Sequence, residues 1–283
     1  MAGVKRIEAI LSGSEPFKVI DMEVKNYLPI LSDYHRMSPF FMLDHGPPKR
    51  FSPISGEGRV DGLHPHRGLE TVTVVYEGAI THYDTKGNGG TIHKDEAQWM
   101  TAGAGIQHTE FPELPEGGLS EMIQLWVLLP QAYKMTEPKY QPLTRETIKS
   151  VPVRDGEVRI IAGNYSGVNG PATSFTPIHL LDVRLEMGGE AELAFPAHFN
   201  TGVFVVKGEV EVNSDTTVAS GNFILFENAG EDLMLKSLSD RTVLLVLSGQ
   251  PLQEPIAHRG PFVMNTPEEL DKAYQDFWSG KFG

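Results

Sequence analysis

Short apolar runs, often alternating with polar residues and separated by glycine- and proline-containing turns, recur along most of the chain. These runs predict β-strands, because β-branched and aromatic side chains suit a pleated, half-buried surface. The dipeptide Lys207-Gly208 separates two such runs and predicts a hairpin turn. Many short strands with few helical stretches predict an all-β fold of the sandwich or barrel type. The strands predicted in this way are 71–76, 123–129, 158–162, 178–185, 203–206, 209–212, 223–226 and 242–247.

The C-terminus has a different pattern, which predicts one helix. Thr266 is a suitable N-cap, Pro267 suits the first helical position, and Glu269 completes a capping box. Apolar residues then recur at helical spacing, so the segment should cover a sheet face with one side. These residues are Leu270, Ala273, Tyr274, Phe277 and Trp278.

The domain organisation follows from a polar segment, 130–152, that lies between two β-rich halves of similar plan. In each half, a strand that ends in glycine follows a histidine-containing segment. Two diverged copies of one barrel would explain this similarity. We therefore predict a barrel over 1–135, a linker over 136–152, and a second barrel with the terminal helix over 153–283.

Composition restricts the chemistry that this chain can perform. Among its 283 residues there is no cysteine, which excludes disulfide scaffolds, thiolate metal sites and thiol nucleophiles. The formal net charge of −13 argues against direct nucleic-acid binding. No apolar run is long enough to cross a bilayer, and the N-terminus does not resemble a secretory signal. A cytoplasmic protein with no membrane or nucleic-acid partner is expected.

Two short motifs in the first half predict a metal site. His64-Pro65-His66 places two imidazoles on one face of an extended segment, about 6.5–7 Å apart along the backbone. His108-Thr109-Glu110 repeats that spacing with a carboxylate in place of one imidazole. Three neutral imidazoles and one carboxylate suit Fe(II), Mn, Ni, Cu or Zn and leave coordination positions open.

The other histidines lack such partners, although His82 beside Asp84 could line the same cavity. In the second half His198 occupies the corresponding place, but Asn200 replaces the second histidine. A second metal is therefore not expected there.

The segment Gly58-x5-His64-x-His66-x3-Glu70 resembles the first motif of the cupin superfamily, and longer segments resemble the pirin family. The resemblance extends from about residue 39 to the final helix. It implies a bicupin, an all-β fold of two antiparallel cupin barrels, with iron in the N-terminal barrel and a degenerate C-terminal one. The iron ligands carried over are His64, His66, His108 and Glu110, and Glu70 is expected either to line the pocket or to support the ligands from behind. The segments that carry the pirin resemblance are 64–72, 98–106, 108–110, 125–127 and 260–266.

The resemblance to pirins implies two classes of function. The first is an Fe(II)-dependent dioxygenase that cleaves a flavonol such as quercetin with O₂, with Glu110 as metal ligand, as base for the substrate hydroxyl, or as both. Phe40, Phe41, Met42 and Trp99 are candidate apolar walls for this small aromatic substrate. The alternative is a non-enzymatic, redox-sensing iron protein that regulates a transcription factor or a metabolic enzyme through protein contacts. A monomer is expected in either case.

Overall fold

The computed structural model describes residues 3–19, 22–30, 32–55 and 62–283, which form two compact units. Unit I comprises Glu15–His35, Pro39–Arg145 and Leu252–Gly283. Unit II comprises the described residues up to Ser14 together with Arg36–Ser38 and Glu146–Pro251. The predicted division cuts the chain at a single linker, whereas here the last 32 residues belong with the strands of the first half.

Unit I contains a seven-stranded sheet, in the order β12-β9-β6-β11-β4-β3-β2, and a four-stranded sheet, in the order β5-β10-β7-β8. Their strands pair antiparallel, and a short hairpin, β23-β24, precedes the terminal helix. With strands numbered along the whole chain, those of unit I are β2 (Phe17–Val19), β3 (Met22–Leu28), β4 (Phe40–Phe51), β5 (His64–His66), β6 (Leu69–Glu77), β7 (Ala79–Asp84), β8 (Gly89–His93), β9 (Ala97–Thr101), β10 (Ile106–Pro112), β11 (Gly118–Leu128), β12 (Lys139–Leu143), β23 (Ala257–Arg259) and β24 (Phe262–Met264).

Unit II is built on one nine-stranded antiparallel sheet with an apolar core. The order is β1-β20-β17-β22-β16-β21-β18-β19, with β13 also paired to β16, and β14-β15 form a separate hairpin. Buried valine, leucine, isoleucine and phenylalanine side chains from these strands form a large cluster. The strands are β1 (Ile7–Leu11), β13 (Lys149–Ala162), β14 (Asn164–Tyr165), β15 (Val168–Asn169), β16 (Ile178–Ala194), β17 (Asn200–Lys207), β18 (Glu209–Val212), β19 (Thr216–Ala219), β20 (Phe223–Phe226), β21 (Asp232–Ser237) and β22 (Arg241–Gly249).

Each predicted strand lies within or overlaps an observed one, but the predicted hairpin at Lys207-Gly208 is wrong. β17 pairs with β20 and β22, whereas β18 pairs with β19 and β21. Gly208 has a φ of +79°, and a Cβ there would lie 2.5 Å from the Arg241 carbonyl oxygen. The glycine therefore makes a corner that redirects the chain to new partners, and local sequence does not distinguish a corner from a hairpin turn.

The terminal helix, α1, spans Pro267–Trp278 and begins as predicted. The Thr266 side chain accepts a hydrogen bond from the Glu269 amide, and the Glu269 side chain completes the capping box. The predicted buried face is partly wrong, because Trp278 is 75% exposed and Asp276 is buried in its place. Within the described ranges, no helix is long and apolar enough to cross a membrane.

Glu70 lies on the side of β6 opposite the cavity described below, so its predicted place in the pocket is wrong. Its carboxylate accepts a hydrogen bond from Thr101 Oγ1 at 2.7 Å, and its side chain is almost fully buried. Burial raises the pKa of Glu70 to about 7. The residue is thus a buried carboxyl that favours its protonated form.

We expect Glu70 to make the protein less stable as the pH rises from about 4.5 to 7. The folded state binds this proton more tightly than the unfolded state does, so each step up in pH through that range favours unfolding. Glu70→Gln should therefore flatten the pH dependence and raise the free energy of unfolding at pH 8 by about 2 kcal/mol. Urea denaturation of both proteins at pH 5 and pH 8 measures this, and an equal stability difference at the two pH values would contradict it.

Candidate metal centre

The HxH and HxE motifs meet because their strands are neighbours. β5 pairs with β10, which sets His64 opposite His108, and β10 pairs with β7, which sets Glu110 opposite His82. The ring centroids of His64, His66 and His108 lie 4.4–5.0 Å from one another. One nitrogen from each ring lies within 4.8 Å of the others, as the ligands of one ion would.

Glu110 joins this cluster through His108. Its Oε2 lies 4.0 Å from His108 Nδ1, and Glu110, His108 and His82 form a second group whose ligand atoms lie within 4.8 Å. The structure thus brings the three predicted histidines together, with Glu110 beside them. It also adds His82, which the sequence interpretation left as a candidate cavity residue.

In each of the three histidines, His64, His66 and His108, the Nδ1 atom forms a hydrogen bond with a group other than these three rings. His64 Nδ1 donates to the Gly62 carbonyl oxygen at 2.8 Å, and His66 Nδ1 donates to the Pro261 carbonyl oxygen at 3.2 Å. A hydrogen bond at Nδ1 to a carbonyl oxygen fixes the proton there and leaves the Nε2 lone pair for a metal.

For His108 the outer partner is a histidine–carboxylate pair. His82 Nε2 lies 3.3 Å from Asp84 Oδ2, and His82 Nδ1 lies 3.4 Å from His108 Nδ1. An ionised carboxylate only accepts, so we assign the proton of His82 to Nε2, which makes His82 Nδ1 the acceptor for His108 Nδ1–H. The remaining atom, His108 Nε2, is buried and has no hydrogen-bond partner among the residues that the structure describes. A buried, unpartnered lone pair is what a metal ligand requires, so the residues present fit a bound metal ion.

Burial favours the neutral forms of His66 and His108. It lowers the pKa of His66 to about 3, with His64 as a second cause, and it lowers the pKa of His108 well below the usual value, with His64, His66 and His82 contributing. Neutral imidazole is the form that binds metals.

Glu110 is held by two side chains that the sequence did not indicate. Thr73 Oγ1 donates to Glu110 Oε1 at 2.7 Å, and Gln98 Nε2 donates to the same oxygen. Tyr140 OH donates to Gln98 Oε1 at 2.9 Å, which turns the amide nitrogen of Gln98 toward Glu110. Burial raises the pKa of Tyr140, and the nearby carboxylates of Glu110 and Asp84 raise it further. The phenol therefore keeps its proton and remains a hydrogen-bond donor. Both donors reach Oε1, and Oε2 is left for a metal or a substrate proton.

A cavity of about 380 Å³ opens onto His64, His66 and Glu110. Trp126 is one wall, and its ring meets His66 edge-on with centroids 4.9 Å apart. The other lining residues are mostly apolar: Phe17, Val19, Met22, Val24, Met42, Met122, Gly260 and Pro261, with Asn26, Asp44 and Gln124 as further polar members. A larger cavity, about 740 Å³, lies in unit II and contains none of the predicted site residues.

The predicted cavity walls are only partly correct. Met42 lines the cavity, whereas Phe40 and Trp99 are buried in the core, and Phe41 stacks behind Trp126 at 6.2 Å. The strand alternation of β11 would have indicated Trp126, because it shares a face with Met122 and Gln124, four and two residues earlier. Gly58, which opens the first motif, lies outside the described residues.

Two glycines allow the C-terminal segment to pack close to the site. Gly68 has a φ of +77°, and a Cβ there would lie 2.0 Å from the Val263 carbonyl oxygen. At Gly105 a Cβ would lie 2.4 Å from the Phe282 ring. These positions exclude side chains because the segment after Leu252 packs against the histidine-bearing strands within unit I.

Asp84→Asn should lower the metal affinity about 10- to 100-fold, because the Asp84 side chain acts on His108 through His82. The amides of Lys86 and Asn88 donate to Asp84 Oδ1 at 2.9 and 3.0 Å, so the new amide nitrogen would face His82 Nε2. That donor reverses the tautomers of His82 and His108 and places a proton on His108 Nε2. Titration of each protein with Fe(II) under argon measures the affinity. Asn88→Ala, which keeps the carboxylate, is the matched control, and equal affinities in all three proteins would contradict the assignment.

Comparison with known proteins identifies the family. The pirin family model matches residues 21–127, and the model of the pirin C-terminal cupin domain matches residues 180–283. A Pseudomonas aeruginosa protein provisionally named a quercetin 2,3-dioxygenase is 43% identical over 251 residues, which is 87% of each chain. A pirin-like protein of Solanum lycopersicum is 39% identical over 253 residues, 89% of this chain and 84% of its own.

The solved structures agree with this assignment. The crystal structure of quercetin 2,3-dioxygenase from Acinetobacter baumannii has a TM-score of 0.93 at 40% identity and covers 99% of both chains. The predicted fold class, an all-β bicupin with a short terminal helix, is confirmed. The chain belongs to the pirin family.

Proposed function

We propose that this protein is an Fe(II)-dependent dioxygenase that cleaves flavonols such as quercetin, with the metal held by His64, His66, His108 and Glu110. The observation that carries the proposal is that one ring nitrogen from each of the three histidines lies within 4.8 Å of the others, and that Glu110 lines the same mostly apolar cavity as His64 and His66. Relatives of 40–43% identity that cover 87–99% of the chain bear the name quercetin 2,3-dioxygenase, which supports the substrate class.

The ligand set also determines what the bound metal would contribute. When bound, Fe(II) supplies an open coordination position for an ionised substrate hydroxyl and the redox capacity for chemistry with O₂. Mn, Ni, Cu and Zn fit the same donor atoms, so metal analysis of protein purified without added metal is the direct test of the ion.

In this proposal the protein side chains handle the substrate and its proton. Thr73 and Gln98 both donate to Glu110 Oε1, and the other carboxylate oxygen, Oε2, accepts the proton of the flavonol 3-hydroxyl. The apolar walls, with Trp126 beside His66, hold a planar molecule and exclude water. Cleavage of the central ring incorporates O₂, releases carbon monoxide and leaves a depside.

The regulatory alternative, a redox-sensing iron protein that acts through protein contacts, finds no specific support in these observations. The cavity volume is within the usual range for small-molecule sites, which favours a small aromatic ligand.

Fe(II)-loaded protein should consume quercetin and O₂ and release carbon monoxide in equal amounts. His66→Ala removes one candidate ligand and should reduce the rate at least about 100-fold, because even loss of an outer hydrogen-bond partner of a metal ligand costs 10- to 100-fold. Loss of flavonol absorbance and uptake of oxygen measure the rate. If the wild-type protein is no faster than the variant, the dioxygenase proposal fails for this substrate.

A further inference from the structure

A row of polar side chains crosses the apolar sheet that forms the cavity wall. The strand registers set Asn26 opposite Asp44, Asp44 opposite Gln124, Gln124 opposite Thr73, and Thr73 opposite Gln98. These five positions lie on five adjacent strands, β3, β4, β11, β6 and β9. The row thus has the donors to Glu110, Thr73 and Gln98, at one end, and a second carboxyl group, Asp44, next to Asn26 at the other.

This second carboxyl group, that of Asp44, lies apart from the candidate metal ligands. Adjacent strands lie about 4.8 Å apart, so Asp44 is about 10 Å from Thr73, two strands away. Thr73 in turn contacts Glu110. The cavity therefore has two polar ends, with Glu110 and the histidines at one and Asp44 with Asn26 at the other; Gln124 lies between them in a lining that is otherwise mostly apolar.

The hydrogen bonding of Asp44 is incomplete. Its side chain lines the cavity, and the residue is only 7% exposed. Asn26 Nδ2 donates to Oδ1 at 2.7 Å, and this is the one hydrogen bond to the carboxyl found within the described ranges. A carboxylate has about four acceptor positions, so most of the capacity of Asp44 remains available toward the cavity. No lysine or arginine is among the described residues that line it.

The charge of the Asp44 carboxyl group suits a hydrogen-bond acceptor. Burial raises the pKa of Asp44 to about 6, and the hydrogen bond from Asn26 opposes the rise. Above that pH the group is a buried carboxylate whose desolvation is costly unless donors reach it. A ligand hydroxyl would supply the missing donor.

We propose that Asp44 is a second anchor of the cavity, which accepts a hydrogen bond from a hydroxyl group on the part of a flavonol remote from the metal ligands. This inference rests on the proposed function, because it takes the ligand to be a flavonol bound with its 3-hydroxyl toward Glu110. Met42 and Trp126 lie on the same wall and contact the rings, while Asp44 selects polyhydroxylated flavonols over unsubstituted ones.

The test compares two ligands that share the group facing the metal. Quercetin and 3-hydroxyflavone both have the 3-hydroxyl and 4-keto groups, but only quercetin has hydroxyl groups on its outer rings. Calorimetric titration of Fe(II)-loaded protein under argon gives each Kd without turnover. We expect the wild-type protein to bind quercetin at least about tenfold more tightly, since hydrogen bonds to charged groups are worth about that factor or more.

Asp44→Asn keeps the size of the side chain and removes its charge. This variant should bind quercetin about 10- to 100-fold more weakly and leave the Kd for 3-hydroxyflavone nearly unchanged. Retained binding of 3-hydroxyflavone shows that the cavity is intact. Glu77→Gln, which removes a carboxylate of the same unit outside the cavity, should alter neither Kd.

Equal affinity of the wild-type protein for the two flavonols, or no binding of quercetin, would overturn the proposal. An unchanged preference of Asp44→Asn for quercetin over 3-hydroxyflavone would also overturn it. Equal weakening of the binding of both flavonols would do the same, because it would mean that Asp44 maintains the shape of the cavity. Failure of the proposed dioxygenase activity can be distinguished from failure of the proposed role of Asp44. Quercetin bound with an Asp44-dependent preference but not consumed under O₂ would contradict the activity and support the anchor.

Discussion

Replacement of His108 with alanine should reduce the metal affinity at least about 100-fold and leave protein purified from metal-supplemented medium nearly metal-free. In the described part of the chain, the buried Nε2 atom of His108 has no hydrogen-bond partner, and the ring of His108 lies 4.4 Å from that of His64 and 5.0 Å from that of His66. Its removal takes away one of the four candidate donor atoms, and loss of even an outer hydrogen-bond partner of a metal ligand costs about 10- to 100-fold in affinity. Elemental analysis of the purified protein measures the effect.

The matched control for this prediction is His93→Ala. His93 is an exposed residue of β8, in the same four-stranded sheet, and belongs to neither candidate metal group. It should retain the wild-type metal content. Because His108 is almost fully buried, His108→Asn is included as a variant of similar polarity that is less disruptive to packing, and it should also lose the metal. Wild-type metal content in either His108 variant would refute the ligand assignment.

The predicted cluster could be recognised from sequence because its determinants are local. In His64-Pro65-His66 and His108-Thr109-Glu110 the alternation of a strand puts both side chains of each pair on one face. Only the pairing of the two strands had to be supplied, and β5 and β10 are antiparallel neighbours. The cap at Thr266 was predictable for the same reason, since a capping box spans only four residues.

The outer partners could not be predicted, because they depend on contacts between distant parts of the chain. His66 Nδ1 meets the carbonyl oxygen of Pro261, 195 residues away, and His82 meets His108 only through the register of β7 with β10. No turn motif specifies either contact. Glu70 illustrates the opposite error. Its place in a sequence motif indicated the pocket, but strand alternation puts it on the face opposite Thr73, the residue that contacts Glu110.

Asp276→Ala should lower the free energy of unfolding by about 3–5 kcal/mol, because it leaves a buried guanidinium without its counter-charge. Arg67 follows the HxH motif directly, and its side chain is only 4% exposed. Its Nη1 donates to Asp276 Oδ2 at 3.0 Å, and its Nε donates to the Ala104 carbonyl oxygen at 2.7 Å. The pair joins α1 to the strand end that carries His66, so its loss should also loosen the metal site.

The pH dependence of the free energy of unfolding provides a second test of the Asp276→Ala prediction. Hydrogen bonds from Lys272 and then Lys281 hold the pKa of Asp276 well below its usual range, and Arg67 adds to them against the effect of burial. A carboxyl whose pKa is depressed by folding stabilises the protein above its unfolded pKa, and this stability is lost as the pH falls below about 4. The wild-type protein should therefore lose its advantage over Asp276→Ala on acidification.

Asp271→Ala separates this buried pair from ordinary surface charge. Asp271 lies on the same helix and accepts from Arg259 Nη1 at 2.7 Å, but both side chains are more than half exposed. An exposed ion pair is worth at most about 1 kcal/mol, because water and salt screen it. Urea denaturation at pH 7 should therefore give a much smaller loss for Asp271→Ala than for Asp276→Ala. Equal losses of stability would mean that the Arg67–Asp276 pair contributes no more than an exposed ion pair. The C-terminal segment would then be held to the histidine-bearing strands by apolar contacts such as that of Phe282 with Gly105.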